Sequence, residues 1–283
     1  MHRSRLILLV FIVLSTALLY NLPRVVIDNS EKAVVRASSA VDSGEETHSV
    51  SGGMPLQAHA SEIPDSLSQT INILRESLFS LQNQEKKLIF ADSLAGLFDI
   101  LSRYDSAAKY YELKSTLLPG FEQYLETADA YYRALSFTLD KNRRFEWAEK
   151  ARTYYSKVLE LNPDLPDIQV RIGMTYMSGE DPMTGIQMMR KVSEEHPDNE
   201  LAQFELGMLS VTTGQYDKAI ERFEKLLRLN EGNGEAHFYL GYCYFEKDEH
   251  EKAREQFEKV IKMEVSPELR ETAKKYLENI NNI

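Results

Sequence analysis

Leu206-Gly207-Met208-Leu209-Ser210-Val211-Thr212-Thr213-Gly214-Gln215-Tyr216-Asp217-Lys218-Ala219-Ile220-Glu221-Arg222-Phe223 carries the pattern that decides the fold. The chain repeats it 34 residues later as Leu240-Gly241, Ala253 and Phe257, and 34 residues earlier as Ile172-Gly173, Gly185 and Met189. Pro163 and Pro197 keep the same period. A fixed period of this size marks a stack of like supersecondary units. Each unit reads as a pair of helices. The small residue lets the first helix approach the second, and the Ala position answers from the second helix. The large residue four positions after it fills the gap between successive pairs. One pair cannot bury its apolar faces alone, so neighbours stack into a continuous core. A proline ends the second helix and starts the link to the next pair.

Two further units lie upstream. Leu94-Ala95, Phe98, Ala107, Tyr111 and Pro119 fit every spacing. Thr127-Ala128, Tyr131, Ala151, Tyr155 and Pro163 fit as well, but Tyr131 and Ala151 are 20 residues apart where the other units have nine. The inserted residues around Phe137 to Arg144 predict two lengthened helices with a projecting tip. The units run over 88–120, 121–165, 166–199, 200–233 and 234–267. A leading helix is expected over 65–84, and a capping helix over 268–281 with Leu269, Ala273, Tyr276 and Ile280 on one face.

These residues resemble the tetratricopeptide repeat family across five units in register. The resemblance implies an all-α fold, a right-handed α-solenoid of about five helix pairs with leading and capping helices. The chain departs from the family pattern at several positions. Gln169, Gln203 and His237 stand where a large first-helix residue is usual, Gly185 where Ala is usual, Ser210 where an aromatic is usual, and Glu231 where Pro is usual.

Composition agrees with a helical body. Of the 283 residues 43% are hydrophobic and 27% charged, a globular mix. The formal charge is −11, and residues 1–60 carry five charges of each sign, so the acidic excess lies in the body. An acidic body argues against nucleic acid, where affinity comes largely from neutralising phosphates. With Cys243 the single cysteine, a disulfide framework and a cysteine-rich zinc site are excluded.

The amino terminus reads differently. Residues 6–22 form an uncharged apolar run behind Arg3 and Arg5. Its length is roughly 25 Å as a helix at ~1.5 Å per residue, at the short edge of a bilayer span. A cleaved signal peptide is the rival reading, but no small-x-small site follows the run. An uncleaved signal-anchor or transmembrane helix within 1–27 is the favoured expectation. The flanking arginines place the amino terminus in the cytoplasm. A single-pass inner-membrane protein with its repeats in the periplasm follows, or a periplasmic protein if the segment is removed. Residues 28–64, rich in Ser, Ala, Gly and Glu without periodicity, read as a flexible linker, with 65–283 the repeat domain.

Chemistry-bearing arrangements are missing from the sequence. There is no HExxH, no GxSxG and no phosphate-cradling Gly-x-x-x-x-Gly-Lys. Cys243 and His250 lie seven apart without a third ligand nearby, and Cys243 reads as a small core residue. No catalytic residue, cofactor or metal is expected, and the chain is read as a non-enzyme. Trp147 reads as core, and Asp181-Pro182 as a helix start.

In the family, first helices line a concave face that binds peptides or helices. Carried onto this chain, that face holds Val170, Met174 and Met177, then Phe204, Met208 and Val211, then Phe238, Tyr242 and Phe245. In the upstream units the same offsets give Leu125, Asp129 and Tyr132, and Asp92, Gly96 and Asp99. The Lys/Asn set that clamps a carboxylate tail in some members is absent. Nine apolar residues in three neighbouring units suggest a partner groove, with Met and aromatic types suited to adaptable binding. The expected function is a membrane-tethered, non-catalytic scaffold or adaptor that binds an apolar peptide or helix of another protein. An assembly chaperone for envelope proteins, of the cytochrome-maturation or outer-membrane-assembly type, is the alternative. So is a structural protein whose groove takes a second copy, giving a homo-oligomer.

Overall fold

Asn199 and Asn233 show how this chain starts its helices. Each side chain accepts a hydrogen bond from the backbone N–H three residues on, at Ala202 and Ala236, and so satisfies one of the donors a helix end leaves bare. The two asparagines are 34 residues apart, so the cap belongs to the repeat. Asn83, Asp140, Asp181 and Ser266 cap in the same way. Pro182 occupies the first helical turn behind Asp181, as its spacing predicts.

The computed structural model describes residues 63–179 and 181–282. Twelve helices and no strand occur among the described residues. They are α1 (Asp65–Ser80), α2 (Gln84–Ile100), α3 (Tyr104–Leu117), α4 (Phe121–Phe137), α5 (Lys141–Leu161) and α6 (Pro166–Met177). Then follow α7 (Pro182–Glu195), α8 (Glu200–Thr212), α9 (Tyr216–Leu229), α10 (Gly234–Glu246), α11 (His250–Lys262) and α12 (Pro267–Asn281). None of the described helices is long and apolar enough to cross a membrane. The apolar run at 6–22 and the linker up to residue 62 lie outside the described residues.

Each helix packs on its neighbours in the chain, and each of the pairs α2–α3, α4–α5, α6–α7, α8–α9 and α10–α11 is in denser contact internally than with the helix that follows it. Helix α1 leads and α12 closes the stack. The expected leading helix ends at Ser80, four residues earlier than the periodicity suggests, because Asn83 caps α2 and starts it at Gln84. The insertion lengthens α5 to 21 residues, against 13 or 14 for the second helices of the last three units. Leu139 stands at the tip with 98% of its surface exposed.

The turns within three of the pairs share one device. Seven residues after the small first-helix residue the backbone is left-handed, at Ser102 (φ 55°), Gly214 (φ 67°) and Asp248 (φ 59°). The next N–H in each case reaches back five residues, as in Arg103 to Phe98 O, Gln215 to Ser210 O and Glu249 to Tyr244 O. This closes the last helical turn. Glycine accepts that conformation without steric cost, whereas Ser102 and Asp248 hold it with a side chain.

Within the pairs the small residues do what their spacing implies. A Cβ on Gly207 would lie 2.9 Å from two ring carbons of Phe223, and one on Gly241 3.0 Å from Phe257. In the third unit both helices carry glycine. A Cβ on Gly185 would collide with the carbonyl oxygen of Gly173. The glycine that departs from the family pattern therefore marks a close crossing of α6 and α7.

Candidate functional site

The first helices of the last three units form a continuous wall. Helix α6 touches α8, α8 touches α10, and α10 touches α12. The nine apolar positions proposed for this wall separate into two groups.

Val170 is fully buried, in a cluster with Met189, Val192, Ala202 and Leu206. Three positions before the glycine, it points into the seam between α6, α7 and α8, so it is core and not groove. Phe238 (8% exposed) and Tyr242 (7%) are also buried. Their rings stand 5.9 Å from that of Tyr276, and Phe245, half-buried, is 5.2 Å from the same ring. Helix α12 covers the fifth unit because a terminal pair would otherwise expose an aromatic face with no next pair to bury it. Phe238 and Tyr242 are thus corrected to core as well. Met174, Met177, Phe204, Met208 and Val211 remain half-buried.

The upstream positions are occupied by internal pairing. Asp92 accepts from Lys114 at 2.6 Å. Asp99 accepts from Tyr111 at 2.9 Å and Arg133 at 3.1 Å. Asp129 accepts from the Tyr155 hydroxyl at 2.6 Å and lies 3.6 Å from the Arg171 guanidinium. Gly96 faces open space. Leu125 and Asp129 line a cavity of about 360 Å³ between α4 and α6, with Phe121, Leu165, Ile168 and Arg171.

A row two positions before the glycine escaped the family-based offsets. It consists of Arg171, Glu205 and Tyr239 on successive first helices. Tyr132 of α4 belongs with it: burial pushes its hydroxyl up to about 12, and the Glu205 carboxylate adds to the rise. Glu205 itself is pushed up to about 7. Burial is the main cause; the Arg171 charge opposes it and the Glu235 charge adds to it. The sequence signal was available, since Glu205, Met208 and Thr212 follow helical spacing and share a face. A charged residue in an apolar wall reads as solvated until its surroundings are known.

Outside the wall, polar groups are used structurally. Glu112 of α3 accepts from Lys150 (2.5 Å), Tyr131 (2.7 Å) and Tyr154 (3.2 Å), which joins α3, α4 and α5. Trp147 is buried and stacks on Tyr131 with centroids 5.5 Å apart. Cys243 is buried, and burial pushes its thiol up to about 12, which leaves it protonated and unreactive at neutral pH. No group of three or more metal-ligating His, Cys, Asp or Glu side chains occurs among the described residues.

Residues 204–264 match the tetratricopeptide repeat family. No curated protein matches the chain. Among solved structures it is similar to a crystal structure of MamA protein, at 19% identity over 64% of this chain and 98% of that one, with a TM-score of 0.44. A second is MamA from Desulfovibrio magneticus RS-1, at 21% identity over 63% of this chain and 95% of that one, TM-score 0.44. A third is YrrB, described as a TPR protein with an unusual peptide-binding site, at 20% identity over 75% and 98%, TM-score 0.41. The family match spans most of the fourth and fifth units, and the 34-residue caps, turns and small-residue contacts carry the same register along the stack. Over residues 204–264, then, the chain carries tetratricopeptide repeats.

Proposed function

We propose that the chain is a non-catalytic scaffold, tethered to the inner membrane by residues 6–22. Its first-helix wall holds an apolar segment of a partner protein in the periplasm. The observation that carries this reading is the continuity of α6, α8 and α10 with half-buried Met174, Met177, Phe204, Met208 and Val211. Apolar side chains gathered on one face, left partly open by the chain's own packing, are a usual mark of an interaction surface. Methionine adapts its shape to different partners. The groove proposed here is therefore shorter than the nine-residue row, lying on the third and fourth units and not on the fifth.

A photo-reactive residue at Met208, with a control at the exposed Lys218 of α9, tests the reading in native membranes. Cross-linking is expected at Met208 alone. The double change Met174→Glu with Met208→Glu should reduce the product at least tenfold while helicity stays constant. A product that survives both charges means that the groove lies elsewhere. The tether is tested by extraction at high pH: the full chain should stay with the membrane, and a chain lacking residues 1–27 should not.

A further inference from the structure

Glu205 is the one wall residue whose chemistry the scaffold reading leaves unused. It is half-buried on α8 and takes part in no ion pair or hydrogen bond among the described residues. The groups around it do not neutralise it. The charge of Arg171 on α6 reaches it, but that guanidinium lies 3.6 Å from Asp129, to which Tyr155 also donates. From α10 it meets Tyr239 and the like charge of Glu235, and from α4 Tyr132. Two cations of the flanking second helices are engaged elsewhere: Arg222 of α9 donates to Gln203 Oε1 at 3.1 Å, and Lys191 of α7 lies 3.8 Å from Glu195. A carboxylate withdrawn from water without a partner is costly. The same carboxylate becomes favourable once a cation is brought to it.

We propose that Glu205 reads the charge of the bound segment: it receives a lysine or arginine of the partner, while apolar side chains beside that residue enter the cavity between α4 and α6. This rests on the scaffold reading above and narrows it to one occupant, an apolar segment of another protein with a single cation within it. The argument is charge complementarity. The wall offers apolar contacts from Met174 and Met208, and the cavity offers the apolar walls of Phe121, Leu125 and Ile168; Arg171, which lines that cavity, is also the cation whose charge reaches the half-buried, unpaired Glu205. A neutral segment would bury the Glu205 charge further, and an acidic one would add a second. The raised value of about 7 for Glu205 supplies a further readout. Pairing with a cation requires the ionised form, so binding releases a proton when the pH is below about 7.

The test uses the full chain and three labelled 12-residue peptides of Leu, Met and Ala with a central Lys, Gln or Glu. At pH 8 the Lys peptide should bind at least tenfold tighter than the Gln peptide, with the Glu peptide weakest. From pH 8 to pH 6 its affinity should fall about tenfold, and that of the Gln peptide should not. E205Q should abolish the discrimination between Lys and Gln. E205R should transfer the preference to the Glu peptide, a gain that misfolding cannot imitate. Equal binding of the Lys and Gln peptides would overturn the role of Glu205 and leave the groove standing. Failure of all three peptides to bind would overturn both. E205Q should also raise the melting temperature at pH 8, since it removes an uncompensated charge. A fall would show that Glu205 is engaged internally and would overturn the proposal independently of any peptide.

Discussion

The first two units and the last two fill the same slot with different chemistry. In the fourth and fifth units the slot holds Phe223 and Phe257, both fully buried against a glycine. In the first two it holds Tyr111 and Tyr155, opposite Ala95 and Ala128, and each hydroxyl finds an aspartate on the facing helix, Asp99 and Asp129. Removing a methyl lets a ring lie on the backbone, and the contact is dispersive and non-directional. Keeping the methyl and adding a hydroxyl gives a contact with a fixed partner and geometry. The upstream half continues in this style, with Glu112 joining three helices through Lys150, Tyr131 and Tyr154. The downstream half relies on rings, among which Tyr276 of α12 meets Phe238, Tyr242, Phe245 and Phe257. One repeat period thus supports two kinds of interface. The polar kind takes up the carboxylates of the first-helix wall, whereas the aromatic kind leaves Glu205 without a partner.

The contrast can be broken most directly at Phe257. Phe257→Ala should lose about 3–5 kcal/mol, as ring deletions in cores do, measured by urea denaturation. A loss under ~1 kcal/mol would mean that the downstream units do not depend on ring packing. Gly185→Ala is expected next, at about 1–3 kcal/mol, because the new methyl meets backbone and not a movable side chain. A neutral result there would show that α6 and α7 can separate freely. The reciprocal exchanges sharpen the comparison further. Tyr155→Phe removes a donor to a carboxylate and should cost about 1.5–3 kcal/mol. Phe257→Tyr buries a hydroxyl in a slot built for a ring and should also destabilise, by about 1–3 kcal/mol. If Phe257→Tyr is tolerated without loss, the two slots are interchangeable and the distinction drawn here fails.

The smallest effect is in pH dependence, where the two halves should respond with opposite sign. Burial acts to raise Glu112, but hydrogen bonds from Lys150 and Tyr131 outweigh it and hold the carboxyl below its ordinary value. Its contribution is present above the unfolded value of about 4.5 and is lost as pH falls through the depressed folded one. Glu205 is raised, so its cost appears as pH climbs from about 4.5 towards about 7 and is relieved on acidification. Hydrogen exchange between pH 3 and 8 should show the upstream helices loosening at the acid end, below about 4.5, and α8 tightening as pH falls below about 7. Glu112→Gln should flatten the first trend alone.

Much of this was legible in the residues. The 34-residue recurrence of Gly207, Ala219 and Phe223 carried the helix pairs, and Tyr111 and Tyr155 extended them upstream. The inserted residues before Lys141 foretold the long α5. Asp181-Pro182 marked a helix start. Which residues of the first-helix wall stay partly exposed was legible only in part. Met174, Met208 and Val211 keep the partial exposure expected of them, while Val170, Phe238 and Tyr242 are buried and Glu205 went unnoticed. An apolar residue at helical spacing announces that its face meets something other than water, and does not say whether that is the next helix or a bound partner.

Local rules therefore determined the elements of this protein. Period, small residues, caps and turn residues act over one helix pair and are written within 34 residues. The tertiary structure alone decided which surfaces stay open. Whether Phe238 is free depends on Tyr276, 38 residues on in a helix outside the repeat. Whether Glu205 is compensated depends on Arg171, which is already held by Asp129 two units upstream. Burial and charge are sums over neighbours brought together by stacking, so they are settled only when the stack is complete.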